Sequence, residues 1–172
     1  MAEAVRRNHW WKIAIVTVVA IELLGGASGW LSQSGYGNPW FDGLAKPGFM
    51  PPGYLFGIVW PILYALLGIA LALILAEPRS DRRRLALILF AVQMVLNFAW
   101  SPIFFAGHDI RLAKFVIIAM LIIAAVAAWL FWRIRRPAGL MLLPYLAWLC
   151  FATSLNATIE TLNPGAGASL FG

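Results

Sequence analysis

The sequence predicts an all-α membrane protein that folds as a bundle of five transmembrane helices. Its 172 residues are 62% hydrophobic and only 12% charged, whereas soluble domains carry about 25% charged residues. Five apolar segments are long enough to cross the hydrocarbon core of a bilayer, which takes roughly 20 residues. The basic residues lie at the ends of these segments, as charges that set membrane topology do.

The five predicted spans cover residues 11–31, 55–76, 85–106, 115–132 and 138–159. Apolar runs of this length favour helices, because a helix satisfies its own backbone groups in lipid, whereas a barrel would show short alternating strands. All connections except the first are short, and Pro78 and Pro137 each lie between one span and the next. No boundary indicates a second domain, so residues 1–172 are predicted to form one.

The basic residues also predict the orientation. One side of the predicted membrane collects Arg6, Arg7, Lys12, Arg79, Arg82, Arg83, Arg84, Arg133, Arg135 and Arg136. The other side has only Lys46, Arg111 and Lys114. The positive-inside rule then places the N-terminus inside and the C-terminus outside, in a bacterium across the inner membrane. The net charge of +6 is thereby attributed to topology, and no nucleic-acid partner is predicted.

The first connection, residues 32–54, is too aromatic and too rich in proline for an ordinary linker. It contains Trp40, Phe41, Lys46-Pro47 and Pro51-Pro52. Each proline fixes its own φ and restricts the residue before it, which stiffens the chain. A stiff aromatic loop at a membrane boundary predicts a lid over a pocket on the outer side.

Polar and aromatic residues recur at helical spacing within the spans. Residues three or four apart share a helix face, and polar groups within spans usually face protein or a cavity. The interior predicted from these stripes is lined by Trp60, Tyr64, Asn97, Trp100, Trp148 and Asn156. Apolar walls with a few amide and indole N–H groups suit a flat hydrophobic ligand. The alternative is that the amides only join helices by hydrogen bonds and that the tryptophans only pack against neighbouring helices. For Gln93 we adopt this alternative.

Glu22 lies in the middle of the first span. A carboxyl group within the membrane is a functional hypothesis, here a proton or ion conductor, although a neutral hydrogen-bonded group is the alternative. Cys150, His9 and His108 are too few and too scattered for a disulfide framework or a metal centre. No metal site and no required cofactor are therefore predicted.

Taken together, several of these pieces resemble the translocator protein family, also called tryptophan-rich sensory proteins or peripheral-type benzodiazepine receptors. The matching pieces are Trp40-Phe41-Asp42, Lys46-Pro47, Pro51-Pro52, Val59-Trp60 with Tyr64 and Gly68, Gln93, Asn97, Trp100-Ser101, Phe104-Phe105, Leu143-Pro144-Tyr145, Trp148, Phe151-Ala152 and Leu155-Asn156. They extend from about residue 30 to residue 163, in an order and spacing that fit five spans.

The resemblance implies a five-helix bundle, commonly a homodimer, with a pocket capped by the first loop. The ligands it implies are tetrapyrroles such as protoporphyrin IX and haem, and synthetic isoquinoline carboxamides and benzodiazepines. The pocket residues that carry over are Trp40, Phe41, Pro47, Trp60, Asn97, Trp100, Trp148, Ala152 and Leu155. Lys46 either meets a ligand carboxylate at the mouth or is a solvated loop charge. Ala157 stands where animal members have the tyrosine of a cholesterol-recognition segment, which argues against steroid handling.

Four functions follow as hypotheses. The one we adopt is an integral membrane receptor or carrier that binds tetrapyrroles or drug-like ligands in stress sensing or porphyrin trafficking, with porphyrin or haem as ligand. The second is an enzyme that degrades porphyrins with light and oxygen, in which Trp60 and Trp148 would take part. The third is a conductor that uses Glu22, and the fourth is a dimeric scaffold that docks partners.

Overall fold

The computed structural model describes residues 9–166 and contains helices joined by short connections. The helices are α1 (Trp10–Leu31), α2 (Pro39–Gly43), α3 (Gly53–Leu75), α4 (Asp81–Ser101), α5 (Ile110–Ile134), α6 (Arg136–Met141) and α7 (Leu143–Leu162), and a short π-helix (Pro102–Ala106) continues α4. Five segments are long and apolar enough to cross a membrane, with α6 and α7 together forming the fifth. No strand occurs within residues 9–166, and the predicted all-α bundle of five spans is confirmed. Arg6 and Arg7, used to predict the orientation, lie outside the described residues.

Capping side chains extend two helices beyond the apolar runs from which they were predicted. Ser80 accepts a hydrogen bond from the backbone N–H of Arg83 at 3.2 Å, and α4 therefore begins at Asp81. Asp109 accepts one from the backbone N–H of Leu112 at 2.8 Å, so α5 begins at Ile110. Such caps satisfy the free N–H groups of a first turn, whatever the hydropathy of that turn.

The fifth span is interrupted at Leu142, between α6 and α7. Pro144 stands in the first turn of α7, where its missing N–H breaks no helical hydrogen bond. Gly139 lets α6 approach α5 closely, because a Cβ atom at this position would lie 2.6 Å from the Trp132 Cα. The break thus divides the span into α6, which packs against α3 and α5, and α7, which packs against α5.

The spans follow one another around the bundle in the order first, second, fifth, fourth, third. Helix α1 packs against α3 and α4, α4 against α5, α5 against α6 and α7, and α6 against α3. The backbones of α1 and α3 approach each other closely at Gly68, where a Cβ atom would lie 2.6 Å from the Val18 Cα. Thr17 Oγ1 donates to the Gly68 carbonyl at 2.7 Å across the same crossing. Close approach at small residues is the usual way in which helices associate in lipid.

The bundle is closed at one end and open at the other. At the end that carries Arg79, Arg84 and Arg133, called here the arginine end, α6 packs directly against α3. At the end that carries residues 32–54, called here the loop end, aromatic rings stand between α3 and α7. The Trp148 ring meets those of Phe56 and Trp60 edge-on, with centroids 5.7 and 6.4 Å apart.

Candidate functional site

A cavity of about 490 Å³ lies in the loop end of the bundle, and all five spans and the first loop contribute to its lining. Small-molecule sites commonly have volumes of about 300–1,000 Å³ and mostly apolar walls. Most of the large side chains that line this cavity are aromatic: Tyr36, Phe41, Phe56, Trp60, Tyr64, Trp100, Phe104, Phe105 and Trp148. The size and the walls suit a flat, hydrophobic small molecule.

Most of the ligand-binding residues predicted from the sequence line this cavity. They are Phe41, Trp60, Tyr64, Asn97, Trp100, Trp148, Ala152, Leu155 and Asn156. Trp40, Lys46 and Pro47 do not line it. The α1 wall is a part of the cavity that was not predicted from the sequence, and Gly25 and Gly29 contribute to it. Together with Gly26 they form a stretch of the wall without side chains, and three glycines on neighbouring turns of one helix were the available signal in the sequence.

Trp40 anchors the loop from outside the cavity. Its ring stacks on His108, with centroids 4.4 Å apart and planes 15° apart, and meets Phe104 edge-on at 5.5 Å. Its Nε1 donates to the Ala166 carbonyl at 3.3 Å. The side chain thus ties α2 to the turn before α5 and to the chain beyond α7.

Lys46 caps the C-terminal end of α2. Its Nζ donates to the carbonyl oxygens of Phe41 at 2.7 Å, Leu44 at 3.1 Å and Asp42 at 3.2 Å. These three acceptors match the three protons of an ammonium group. The ammonium also lies over the Phe41 ring, 4.6 Å from its centroid. Lys46 is therefore half-buried and bonded to its own loop, and is neither a solvated charge nor aimed at the cavity.

An asparagine at the end of α7 fixes the loop beside Lys46. Asn163 Nδ2 donates to the Ala45 carbonyl at 2.9 Å, and the Ala45 backbone N–H donates to Asn163 Oδ1 at 2.8 Å. This paired arrangement holds both backbone groups of one loop residue. The polar contacts of Ala45 and Lys46 therefore hold the loop in place just after α2.

A chain of buried hydrogen bonds forms the floor of the cavity and joins three helices. Tyr64 Oη donates to Asn97 Oδ1 at 2.8 Å, and Asn97 Nδ2 donates to Tyr145 Oη at 3.0 Å. Tyr145 Oη in turn donates to Gln93 Oε1 at 2.8 Å. Both Asn97 and Gln93 thus form interhelical hydrogen bonds, and Asn97 also faces the cavity.

Other polar atoms beside the cavity have no partner. The Nε1 atoms of Trp100 and Trp148, and both amide atoms of Asn156, are buried and make no hydrogen bond. Asn156 is only 2% exposed. Each buried polar group without a partner costs about 1–3 kcal/mol, so native structures contain few of them. The cavity is therefore bordered by several hydrogen-bonding atoms that no residue of the described range 9–166 satisfies.

The described lining of the cavity contains one acidic residue and no basic residue. Glu22 on α1 is half-buried, lines the cavity, and forms no hydrogen bond or ion pair with another residue of the range 9–166. Among the described residues of the lining there is no Lys, Arg or His. Nor does any group of three His, Cys, Asp or Glu that could hold a metal ion occur in the described part of the chain.

The chain is similar to known proteins over most of its length. The TspO/MBR family model matches residues 14–162. A tryptophan-rich protein TspO from Chlorobaculum tepidum is 42% identical over 127 residues, which are 73% of this chain and 80% of the relative. Protein CrtK from Rhodobacter capsulatus is 34% identical over 141 residues, 81% of this chain and 86% of the relative. The human translocator protein is 34% identical over 135 residues, 76% and 79% of the two chains.

Proposed function

The chain belongs to the TspO/MBR family, and we propose that this integral membrane protein is a receptor or carrier for tetrapyrroles and other flat, hydrophobic ligands. One observation carries the proposal: a cavity with aromatic walls beside which two indole N–H groups and one whole amide group lack partners. A tetrapyrrole offers a large π surface for stacking on aromatic rings, and ring nitrogens or carbonyl groups for those polar atoms.

The physiological role that we propose is stress sensing or porphyrin trafficking by a homodimer. The basic residues Arg79, Arg82, Arg84, Arg133 and Arg136 all lie at the arginine end. The positive-inside rule therefore supports a bacterial inner-membrane protein with that end and the N-terminus inside, and with the loop and the C-terminus outside. A ligand would then be taken up from the outer side or from the outer leaflet.

Titration of protoporphyrin IX against the purified protein in detergent tests the binding proposal. The shift of the porphyrin's Soret absorbance should saturate, and this readout does not depend on how many tryptophans remain. Replacing Trp148 with Phe keeps an aromatic ring but removes the indole N–H, and should weaken binding by a factor of about three to ten. The matched control is Trp129→Phe on α5, where the side chain is 57% exposed on the outside of the bundle.

Two results would count against the proposal. One is an absorbance shift that rises linearly with porphyrin concentration, as partition into micelles does. The other is equal affinity in the wild type, Trp60→Phe and Trp148→Phe, because both residues line the cavity.

Light- and oxygen-dependent degradation of a bound porphyrin is the second candidate function. It is favoured by the edge contact between Trp60 and Trp148, both in the cavity wall with ring centroids 6.4 Å apart. Illumination in air should then convert the bound porphyrin more slowly in the Trp60→Phe and Trp148→Phe variants at matched occupancy. Unchanged product formation would refute a part for the protein in the chemistry.

The geometry gives less support to a conductor. Glu22 lines the cavity, but the polar chain below it ends at Gln93. The next layer toward the arginine end contains Phe90 stacked on Phe131, with centroids 5.5 Å apart. An apolar layer of this kind would oppose the passage of protons or ions, because they would have to shed their hydration.

A further inference from the structure

A second depression lies at the opposite end of the molecule, on the outer surface of α4. It has a volume of about 600 Å³ and is formed by the α3–α4 connection and the first three turns of α4. Arg79 and Arg84 stand at its upper end, and Leu87, Ile88 and Ala91 continue below them. This depression is called here the arginine groove. We propose that it binds one anionic phospholipid, with the phosphate between the two arginines and an acyl chain along the apolar residues.

The guanidinium groups of Arg79 and Arg84 are available for a ligand. Both side chains are exposed, and neither makes a hydrogen bond or an ion pair with another residue of the range 9–166. Arg83, by contrast, is buried and donates to the Ile74 carbonyl at 2.9 Å and to the Leu75 carbonyl at 3.0 Å. An arginine beside a phosphate forms charge-assisted and often bidentate hydrogen bonds.

The one acidic residue of the groove does not cancel these charges. Asp81 stands in the first turn of α4, where the dipole of a helix favours a carboxylate. Two unpaired arginines against one carboxylate leave the upper end positive. Basic sites on the cytoplasmic side of membrane helices attract anionic lipid head groups for this reason.

The lower part of the groove has the dimensions of an acyl-chain contact. Arg84, Leu87, Ile88 and Ala91 recur at helical spacing and therefore share one face of α4. At 1.5 Å per residue, the stretch from Arg84 to Ala91 descends about 10 Å, within the roughly 15 Å of hydrocarbon in one leaflet. Ile88 is 49% exposed on this face, so it is open to lipid.

A second copy of the chain fits the groove less well than a lipid does. Two copies in one membrane share the same orientation, and a two-fold axis along the membrane normal would place the same patch of each copy at the same depth. Arg79 and Arg84 of one copy would then face Arg79 and Arg84 of the other. A zwitterionic lipid also fits less well, because its own cation already balances its phosphate.

Native mass spectrometry of the full-length protein tests this proposal. Protein in detergent is titrated with phosphatidylglycerol or with phosphatidylcholine of the same chains, and retained lipid is counted per chain. The wild type should retain one phosphatidylglycerol at concentrations at which it retains no phosphatidylcholine. Neutralising both groove residues in Arg79→Gln/Arg84→Gln should weaken retention by on the order of fivefold for each arginine.

Two further variants separate the groove from surface charge in general. Arg133→Gln/Arg136→Gln removes the same charge from the same end, where these arginines lie over the Trp129 and Trp132 rings, and it should leave retention unchanged. Ile88→Trp fills the groove without changing the charge and should also weaken retention. Far-UV circular dichroism and gel filtration check folding, and Ile88→Trp carries the test if the double arginine variant does not fold.

Three results would overturn the proposal. The first is equal retention of the two lipids by the wild type. The second is a loss in Arg133→Gln/Arg136→Gln as large as that in the groove variant, which would assign the effect to the overall charge of this end. The third is unchanged phosphatidylglycerol retention in Ile88→Trp together with dissociation of a dimer, which would assign the groove to a second copy of the chain.

Discussion

Two asparagines in the cavity wall should respond to the same substitution with opposite changes in stability. Asn97 is bonded on both sides, to Tyr64 at 2.8 Å and to Tyr145 at 3.0 Å. Asn156 is 2% exposed, and neither of its amide atoms has a partner. Leucine has almost the shape of asparagine without its polar atoms, so Asn97→Leu and Asn156→Leu form a matched pair.

The magnitudes follow from the hydrogen bonds. Asn97→Leu removes two bonds between helices, worth about 0.6–1.7 kcal/mol each in a membrane protein, and leaves the Tyr64 hydroxyl without its acceptor. We expect it to lower the free energy of unfolding by about 1–3 kcal/mol. Asn156→Leu removes buried polar atoms that nothing satisfies, so it should raise the free energy of unfolding of the ligand-free protein by about 1–2 kcal/mol.

At Asn156, the substitution that raises the stability of the ligand-free protein should lower its affinity for the ligand. If this amide bonds the ligand, then Asn156→Leu should weaken binding of protoporphyrin IX by about fivefold while it stabilises the ligand-free protein. Unfolding would be followed by near-UV circular dichroism in detergent with increasing dodecyl sulfate, and affinity by the Soret titration. Opposite signs of this kind are typical of a site that is kept for binding at a cost in stability.

Two results would refute this reasoning. A loss of stability in Asn156→Leu as large as that in Asn97→Leu would mean that the Asn156 amide is paired in the ligand-free protein. Unchanged porphyrin affinity in Asn156→Leu would mean that the amide does not meet the ligand.

Two further substitutions test the helix crossing and the loop. Gly68→Ala should lower the free energy of unfolding by about 1–3 kcal/mol, because its methyl group would meet the backbone of α1. The control is Gly57→Ala on the same helix, which should lose no stability because nothing lies within 4 Å of its Cβ position. Equal losses of the two variants in thermal unfolding would contradict the assigned contact. Lys46→Met removes three hydrogen bonds within the loop. It should weaken the binding of protoporphyrin IX and of its dimethyl ester by the same factor in the Soret titration. Weaker binding of the free acid alone would show that the ammonium group holds a carboxylate.

The bundle could be predicted from the sequence because hydropathy and spacing both act over whole spans. Five apolar runs determine five helices in lipid, and helical spacing placed Trp60, Asn97 and Trp148 on inward faces without any knowledge of their neighbours. The positions at which the helices begin were harder to predict from the sequence. The caps at Ser80 and Asp109 are single hydrogen bonds, and they extend a helix into residues that are not apolar.

The roles of individual polar residues could not be predicted, because each depends on one partner distant in the chain. Asn97 and Asn156 are both amides within spans, and only the three-dimensional arrangement gives the first two tyrosine partners and leaves the second with none. Lys46 was a candidate because it stands on the aromatic loop at the predicted mouth, and Trp40 because the family resemblance implied it. Their contacts with the Phe41 carbonyl and with His108 show instead how that loop is held.

The charges of the cavity decide how an acidic ligand can lie in it. Glu22 is the one acidic or basic residue among the described residues that line the cavity. The ammonium group of Lys46 donates hydrogen bonds to three carbonyl groups of its own loop. An ionised carboxylate placed inside would lose its hydration, find no cation among the described residues of the lining and lie near the acidic side chain of Glu22. A porphyrin with propionate groups should therefore insert its apolar edge toward Trp148 and Asn156 and leave the propionates at the mouth or among the lipid head groups. The same reasoning predicts that a ligand with carboxylates on all its edges will not bind deep in the cavity, whereas a neutral aromatic compound would meet no such penalty.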